Sequence, residues 1–507
     1  MSPEPLLARE NDYRELARRE PGPVPSATVI VPVYNRPQLL ENVLAGLVAQ
    51  STGGFDVIVV DDGSEDDIES VIRTFEDRLD VRYLRQERDG FGTHRARNLG
   101  VASTDAEVVA FVDADCVPGP QWLERHLDWH RRASNLLVTG SRRHVDTLLD
   151  AEAVAEGAAL TVPVDDEDWE PDDWRRLVYR RSQRLIHGDE GYRAAIGGNS
   201  SVRRDRYLAA GGASEAFIGW GGEDTELAWR IWNDGAFVVP EDRAMIYHQR
   251  VLDAGNAVEI RDESRELALP LLADLIPHRF YRKSMSPFSS VPKITWIAMV
   301  ETDDEARRVW RATSDTPPGD AELILCGPGA ASWQAAARSS DRLGAVDSFA
   351  EAVTASRGEV VVTLDGRIRF DRRLVARALK RLEDPRTAMA RVGYRIGGRR
   401  VLGLRDIAAA DLSHGRDGLS LFAAVRRREL MKDRDALADP GEAWRSAEER
   451  SRVALLVTDL IEAPAVYAKT TSRGLLAIAD LRAAGGKEVA RGVMRAVRPR
   501  TPPDPVS

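Results

Sequence analysis

Cysteine is almost missing: 507 residues hold two, Cys116 and Cys326. Two thiols so far apart cannot form the disulfide framework of a small secreted domain, and a reducing compartment is expected. Long apolar runs are missing as well, with nothing near the ~20 residues that cross a bilayer as a helix. The opening stretch MSPEPLLARENDYRE carries acids where a secretory leader has its apolar core. The chain is therefore expected in the cytoplasm, either free or held peripherally at the inner face of the plasma membrane. Nor is there positive charge to spare, since 71 Lys and Arg against 81 Asp and Glu leave a formal net charge of -10. General nucleic-acid binding needs a basic face that displaces counterions, so nucleic acid is not an expected partner.

What the chain does have is the make-up of a water-soluble globular protein, 43% hydrophobic and 30% charged. A single core rarely serves 507 residues, so two or more domains are expected. Residues 1–26 read as a helical extension ending in a Pro/Gly linker, PGPVP. After it, short β-branched runs alternate with amphipathic stretches. ATVIVPVYN (27–35), FDVIVVDDGS (55–64), VRYLRQ (81–86) and EVVAFVDADC (107–116) read as strands. QLLENVLAGLVAQ, between the first two, has the three- and four-residue apolar spacing of a helix. Apolar strands separated by helices predict an α/β fold with a Rossmann-like, mostly parallel sheet covered on both faces.

A Ser/Pro-rich stretch at 283–292 reads as a linker, and the pattern then repeats in degenerate form over 293–472. ITWIAMVET parallels ATVIVPVYN, AELILCGPGA parallels FDVIVVDDGS, and GEVVVTLDGRIRFDRRLVARAL parallels AEVVAFVDADCVPGPQWLERHL. AAVRRREL echoes SSVRRDRY. The shared order and spacing point to a second copy of one fold. Its acids are gone: Gly327-Pro328 stand in place of Asp61-Asp62, and Asp365 is followed by Arg367 where the first copy has Asp115. A guanidinium repels a divalent cation, so this copy is expected to be non-catalytic. It would serve as a docking or homodimerisation module, or hold a glycan without turning it over. Residues 473–507 read as a C-terminal helix and basic tail, which could lie along an anionic membrane or stay a solvated helix.

Asp61, Asp62, Asp113 and Asp115 all fall at the carboxyl ends of expected strands, where open parallel sheets bind ligands. Four carboxylates there repel one another unless a cation or donors offset them. Asp-Ala-Asp at 113–115 supplies the hard oxygen ligands that suit Mg²⁺ or Mn²⁺ together with a substrate phosphate. Gly90 and Gly92 permit close backbone approach, and Arg97 offers a fork that matches a phosphate. His126 and His130 have the spacing of a zinc pair but lack an HExxH frame, so they are expected to be structural.

PVYNR (32–36), VVDDGS (59–64), GFGTHRARNLG (90–100) and FVDAD (111–115) occur in that order. Together they resemble the inverting nucleotide-sugar glycosyltransferases of family two, which have the GT-A fold. GWGGEDTELAWR (219–230) resembles the acceptor motif of galactosyltransferases and chondroitin-polymerase-like enzymes. The resemblance covers about residues 27–250 and implies a catalytic domain over 27–282. By that likeness Asp61 and Asp62 line a uridine pocket, with the backbone from Pro32 to Tyr34 closing one side. Arg97 reaches the base or diphosphate, and Asp113 the ribose and metal. Asp115 is the main metal ligand, with His248 a third. On the acceptor side Asp224 is the catalytic base, Glu223 holds acceptor hydroxyls, Trp220 gives a sugar-stacking face, and Asn199 lines the same region.

The implied reaction is inverting transfer of a hexose or N-acetylhexosamine from a UDP-sugar to a hydroxyl of a saccharide or glycoconjugate, in bacterial polysaccharide or glycoconjugate synthesis. Two alternatives compete. A nucleotidyltransferase would carry a Gly/Lys-rich phosphate loop after the first strand, and PVYNRPQ lacks one. A glycan-binding pseudoenzyme would not need Asp113, Asp115, Glu223 and Asp224 together.

Overall fold

The computed structural model describes residues 3–157, 174–219, 221–249, 257–283, 288–314, 320–365, 380, 382, 387–396, 399–400, 423–440, 442–443, 446–447 and 453–462. Trp220, Arg367 and the C-terminal helix and basic tail lie outside the described residues.

The first half is built on eight strands: β1 (Ala27–Val33), β2 (Phe55–Asp61), β3 (Val81–Arg85), β4 (Val108–Val112), β5 (Cys116–Pro118), β6 (Leu136–Val145), β7 (Asn199–Arg203) and β8 (Phe237–Gln249). They form one sheet in the order β3-β2-β1-β4-β7-β6-β8-β5. β1 to β4 run parallel, β7 is antiparallel to both neighbours, and β6 and β8 are parallel. The period of two along each strand divides the core. Val29, Val31, Val57, Val59, Ala110 and Val112 pack on one face. Ile30, Ile58, Val60, Val109 and Phe111 pack on the other. Helix Pro37–Val48 covers the first face with Leu40, Val43, Leu44 and Leu47. Helix Thr93–Ala102 covers the second and lies so close that a Cβ on Gly100 would meet Ile30 at 2.6 Å.

The amino-terminal residues depart from the helical extension expected for them. They hold one short 3₁₀ helix, Tyr13–Arg18, and otherwise run irregularly along the β6–β8 edge. Leu6, Ala8 and Leu16 are buried there against Leu136, Val138, Phe237 and Val239. The buried Asn11 amide donates to Leu185 and Val238 carbonyls, 2.9 and 2.7 Å away. Those backbone acceptors, and not helix propensity, fix this segment.

The second half has β9 (Ile294–Met299), β10 (Ala321–Cys326), β11 (Leu343–Val346), β12 (Val360–Asp365), β13 (Thr387–Ile396), β14 (Arg399–Arg400), β15 (Ala423–Arg426) and β16 (Val453–Glu462). Its order is β11-β10-β9-β12-β15-β13-β14, with β16 also on β13. β9 to β12 are parallel, β15 is antiparallel to both neighbours, and β13 and β16 are parallel. Position for position this is the sequence of senses seen from β3 to β8. One detail recurs too. Arg203 at the end of β7 pairs with Glu107 at 3.2 Å, and Arg426 at the end of β15 pairs with Glu359 at 2.9 Å.

Candidate active site

β1, β2 and β4 are neighbours, so their carboxyl ends bring three loops to one edge of the sheet. Just past β1 and Tyr34 come two residues with left-handed backbones, Asn35 (φ 54°) and Arg36 (φ 63°), before Pro37 opens the helix. Asn35 tolerates that region, but Arg36 is strained there. Its guanidinium is turned across the loop to Asp115, with Nη1 3.2 Å from Oδ2.

Asp61 and Asp62 are fully buried at the end of β2. Asp61 accepts from the Ser64 N–H (2.7 Å), the Tyr83 hydroxyl (2.6 Å) and Arg85 (2.5 Å). Asp62 accepts from Gln86 (2.6 Å), the Gly92 N–H (3.0 Å) and Arg88. These donors offset the buried charges and order the segment from Arg85 to Gly92 beside the cleft. Arg88 also covers the half-exposed Tyr34 ring, 3.5 Å from its centroid. Pro32 is buried within β1, opposite Val60.

Arg97 is the hub. Buried on helix Thr93–Ala102, it donates to Asp113 Oδ1 at 2.7 Å and lies 3.9 Å from Glu223. Burial works against its charge, but Asp113 and Glu223 outweigh that and hold it protonated. Gly198 backs the Asp113 carboxylate so closely that any Cβ would overlap it.

Asp115 follows in the turn between β4 and β5. Burial pushes its carboxyl up, yet hydrogen bonding and charge from His248, the Cys116 thiol and Arg36 bring it down to about 2. His248 Nε2 is 3.3 Å from Asp115 Oδ2. Its Nδ1 shares a hydrogen bond with Nδ1 of His144 at 2.8 Å, fixing the ring. Ligand atoms of Asp115, Cys116 and His248 lie within 4.8 Å of one another. Burial keeps the Cys116 thiol protonated, which leaves an ionised carboxylate and an imidazole as the useful donors. That donor set, with Asp113 two residues away, fits Mn²⁺ or Mg²⁺.

The acceptor side comes from helix Glu223–Asn233, entered through Gly222 with φ 101°. Asp224 Oδ2 accepts from the Gly197 N–H at 3.2 Å, and its Oδ1 from the Thr225 N–H at 2.7 Å. Glu223 is 7% exposed, and its Oε2 has no hydrogen-bond partner. Burial and the adjacent Asp224 raise its pKa to about 7, against the pull of Arg97. Arg97, Glu223 and Asp224 line one cavity with Phe111, Gly197 and Ile231. Arg97 therefore links Asp113 on one side to the Glu223–Asp224 pair on the other.

Asn199 is a correction. Fully buried, it accepts from Trp122 (2.7 Å) and His126 (3.0 Å) and donates to the Ser141 and Ala244 carbonyls (2.7 and 3.0 Å). With its amide used up inside the fold, Asn199 braces β7 and has nothing left for an acceptor sugar. His126 and His130 belong to the same buried network and meet Ser201 at 2.9 Å each. Burial lowers them to about 4 and about 3, so both are neutral structural groups.

Residues 28–205 match the model for glycosyl transferase family 2. This match lies within the first half of the chain. An overlapping stretch, 180–251, matches the N-terminal domain of galactosyltransferase and includes Glu223 and Asp224. Among curated relatives, hyaluronan synthase of Pasteurella multocida is 29% identical over 320 residues, covering 60% of this chain and 33% of its own. Chondroitin synthase of Escherichia coli is 29% identical over 269 residues, 50% of this chain and 39% of its own. The chain thus spans between a third and two fifths of the length of these relatives. Among solved structures, a mannosyltransferase of Pyrobaculum calidifontis with GDP-mannose and Mn²⁺ is 19% identical, with a TM-score of 0.39 over 51% of this chain and 69% of that one.

Among the site residues that the sequence reading gave no individual role are Arg36, Arg88, His144 and Gly197. Arg36 sits in the PVYNR motif, which could have flagged it. His144 owes its place to tertiary approach alone.

Proposed function

We propose that the glycosyltransferase domain transfers a hexose or N-acetylhexosamine from a UDP-sugar to an acceptor hydroxyl with inversion. The observation that carries this is the Arg97 bridge, which lies 2.7 Å from Asp113 and 3.9 Å from Glu223 and so joins the donor-side and acceptor-side acids. In this reading Asp224 takes the hydroxyl proton as the acceptor oxygen bonds to the anomeric carbon, while the sugar–phosphate bond breaks on the opposite face. The Gly197 N–H orients the Asp224 carboxylate for that task. Glu223, with an unsatisfied buried oxygen, is the partner for a neighbouring acceptor hydroxyl. Arg97 steadies the donor side. A divalent cation held by Asp115, Asp113 and His248 would neutralise charge on the departing diphosphate.

UDP and a bacterial polysaccharide or glycoconjugate setting rest on the galactosyltransferase-type match and on the similarity to hyaluronan and chondroitin synthases. The test is nucleotide release by the purified chain from a panel of UDP-sugars, with Mn²⁺ or with chelator. Turnover should require the metal and vanish in Asp115→Ala. No release from any nucleotide sugar, or an Asp115→Ala variant as active as the parent, would reject the reading.

A further inference from the structure

The two halves meet at the far end of the helix that carries Glu223 and Asp224. Gly235 lies just past that helix with φ 85°, and a Cβ there would meet the backbone of Met431 and Lys432 at 2.6–2.7 Å. The second half thus presses its helix Arg427–Met431 directly against the C-terminus of helix Glu223–Asn233.

Three consecutive arginines make the contact. Arg427 is buried and donates to the Asn233 carbonyl at 2.9 Å and to Asp234 at 3.4 Å. Its remaining donors are tied to Ser356 and Thr354 of its own half, so the guanidinium is clamped on both sides. Arg428 lies over the Trp232 ring, 3.3 Å from its centroid. Trp232 also packs on Gly191, where a Cβ would fall 3.1 Å from the indole. Arg426 reaches Asp189 at 3.1 Å. Asp189 and Gly191 begin the segment that leads to Gly197, whose N–H holds Asp224.

Both routes end at the same carboxylate. One passes along a helix of 11 residues from Asn233 to Asp224. The other runs through Asp189 and the 3₁₀ turn Gly191–Ala194 to Gly197. A helix is stiff over such a length, so a cation fixing its last carbonyls also fixes its first turn. Neither route touches the Asp61, Asp62 and Arg88 side of the cleft.

We propose that the second half is a brace for the acceptor half of the active site, with Arg427 and Arg426 as positioning residues that hold Asp224 through Asn233 and Asp189. This rests on Asp224 acting as the base.

The test uses the full chain and compares Arg427→Ala and Arg427→Lys with the parent in three measurements: UDP affinity with Mn²⁺, acceptor kcat and KM, and melting temperature. A brace predicts UDP affinity within about twofold of the parent and a roughly ten- to hundredfold loss in kcat/KM for acceptor, with partial recovery in the lysine variant. Transfer within about twofold of the parent, or equal losses in UDP affinity and transfer, would overturn it. Should Arg427→Ala fail to fold, Asp234→Asn and Arg434→Ala at the more exposed edge of the same contact carry the test by the same criteria. A parent chain without any transfer would remove the family-based reading and the brace together, whereas an active parent with indifferent variants removes the brace alone.

Discussion

Glu223 shows how much a single buried carboxyl can report. Burial and the neighbouring Asp224 raise its pKa to about 7 in the fold, from an ordinary value of 4.5. Between those values the native chain holds a proton that the unfolded chain has released, so stability falls as pH rises through the window. Glu223→Gln removes that loss. It should melt like the parent near pH 4 and be more stable near pH 8 by an amount of order 3 kcal/mol. Thermal melts at the two pH values check this; an unchanged difference between the two proteins across the range would refute it. Asp224→Asn has a different signature, with UDP affinity retained and transfer lost, checked by binding and turnover in parallel. Asn199→Ala should act on the fold and not on acceptor affinity. It strands the Trp122 and His126 donors and should cost about 2–4 kcal/mol in denaturant unfolding, through lost packing and unmet hydrogen bonds.

At this scale the acids were legible because carboxylates at strand ends need a reason to be there. Asn199 was misread because its place in a motif says nothing about its partners. All four of its side-chain hydrogen bonds join it to residues more than forty positions away.

Among the elements, strands β1, β2 and β4 could be read from β-branched runs, because burial on both faces leaves few other solutions. Their order in the sheet could not, since pairing depends on crossovers that no local pattern records. The amino-terminal segment failed differently. It reads as a helical extension in sequence, whereas the Leu185 and Val238 carbonyls take the Asn11 amide and hold the chain in irregular form. β7 supplies a sharp test of packing. Gly198 precedes it with the Asp113 carboxylate against its Cα, so Gly198→Ala must displace Asp113 from Arg97. Activity should fall by about two orders of magnitude with little change in melting temperature, as misplacement within a site does. Full activity in a folded Gly198→Ala protein would show that Asp113 has room to move.

For the whole molecule, the order β3-β2-β1-β4-β7-β6 in one sheet has a counterpart in β11-β10-β9-β12-β15-β13 of the other. The strand motifs in the sequence gave no sign of how the halves meet. That contact depends on arginines that look like ordinary surface charge in a linear reading. Near it, Arg282 and Asp320 form a buried ion pair at 2.9 Å across the junction, with side chains 4% and 0% exposed. Asp320→Ala leaves the guanidinium uncompensated and should destabilise the chain by about 3–5 kcal/mol. A calorimetric scan checks it, and an unchanged transition would mean that the junction contributes nothing to cooperative unfolding.

The two cysteines have a practical consequence. Both are buried, and burial holds both thiols protonated, Cys326 at about 12. Native thiols should therefore be slow towards alkylating dyes. Ile218, 88% exposed on the approach to Gly222, is a natural position for Ile218→Cys. A fluorophore attached there would have little competition from the rest of the chain, and its emission would follow events at the mouth of the cleft in real time.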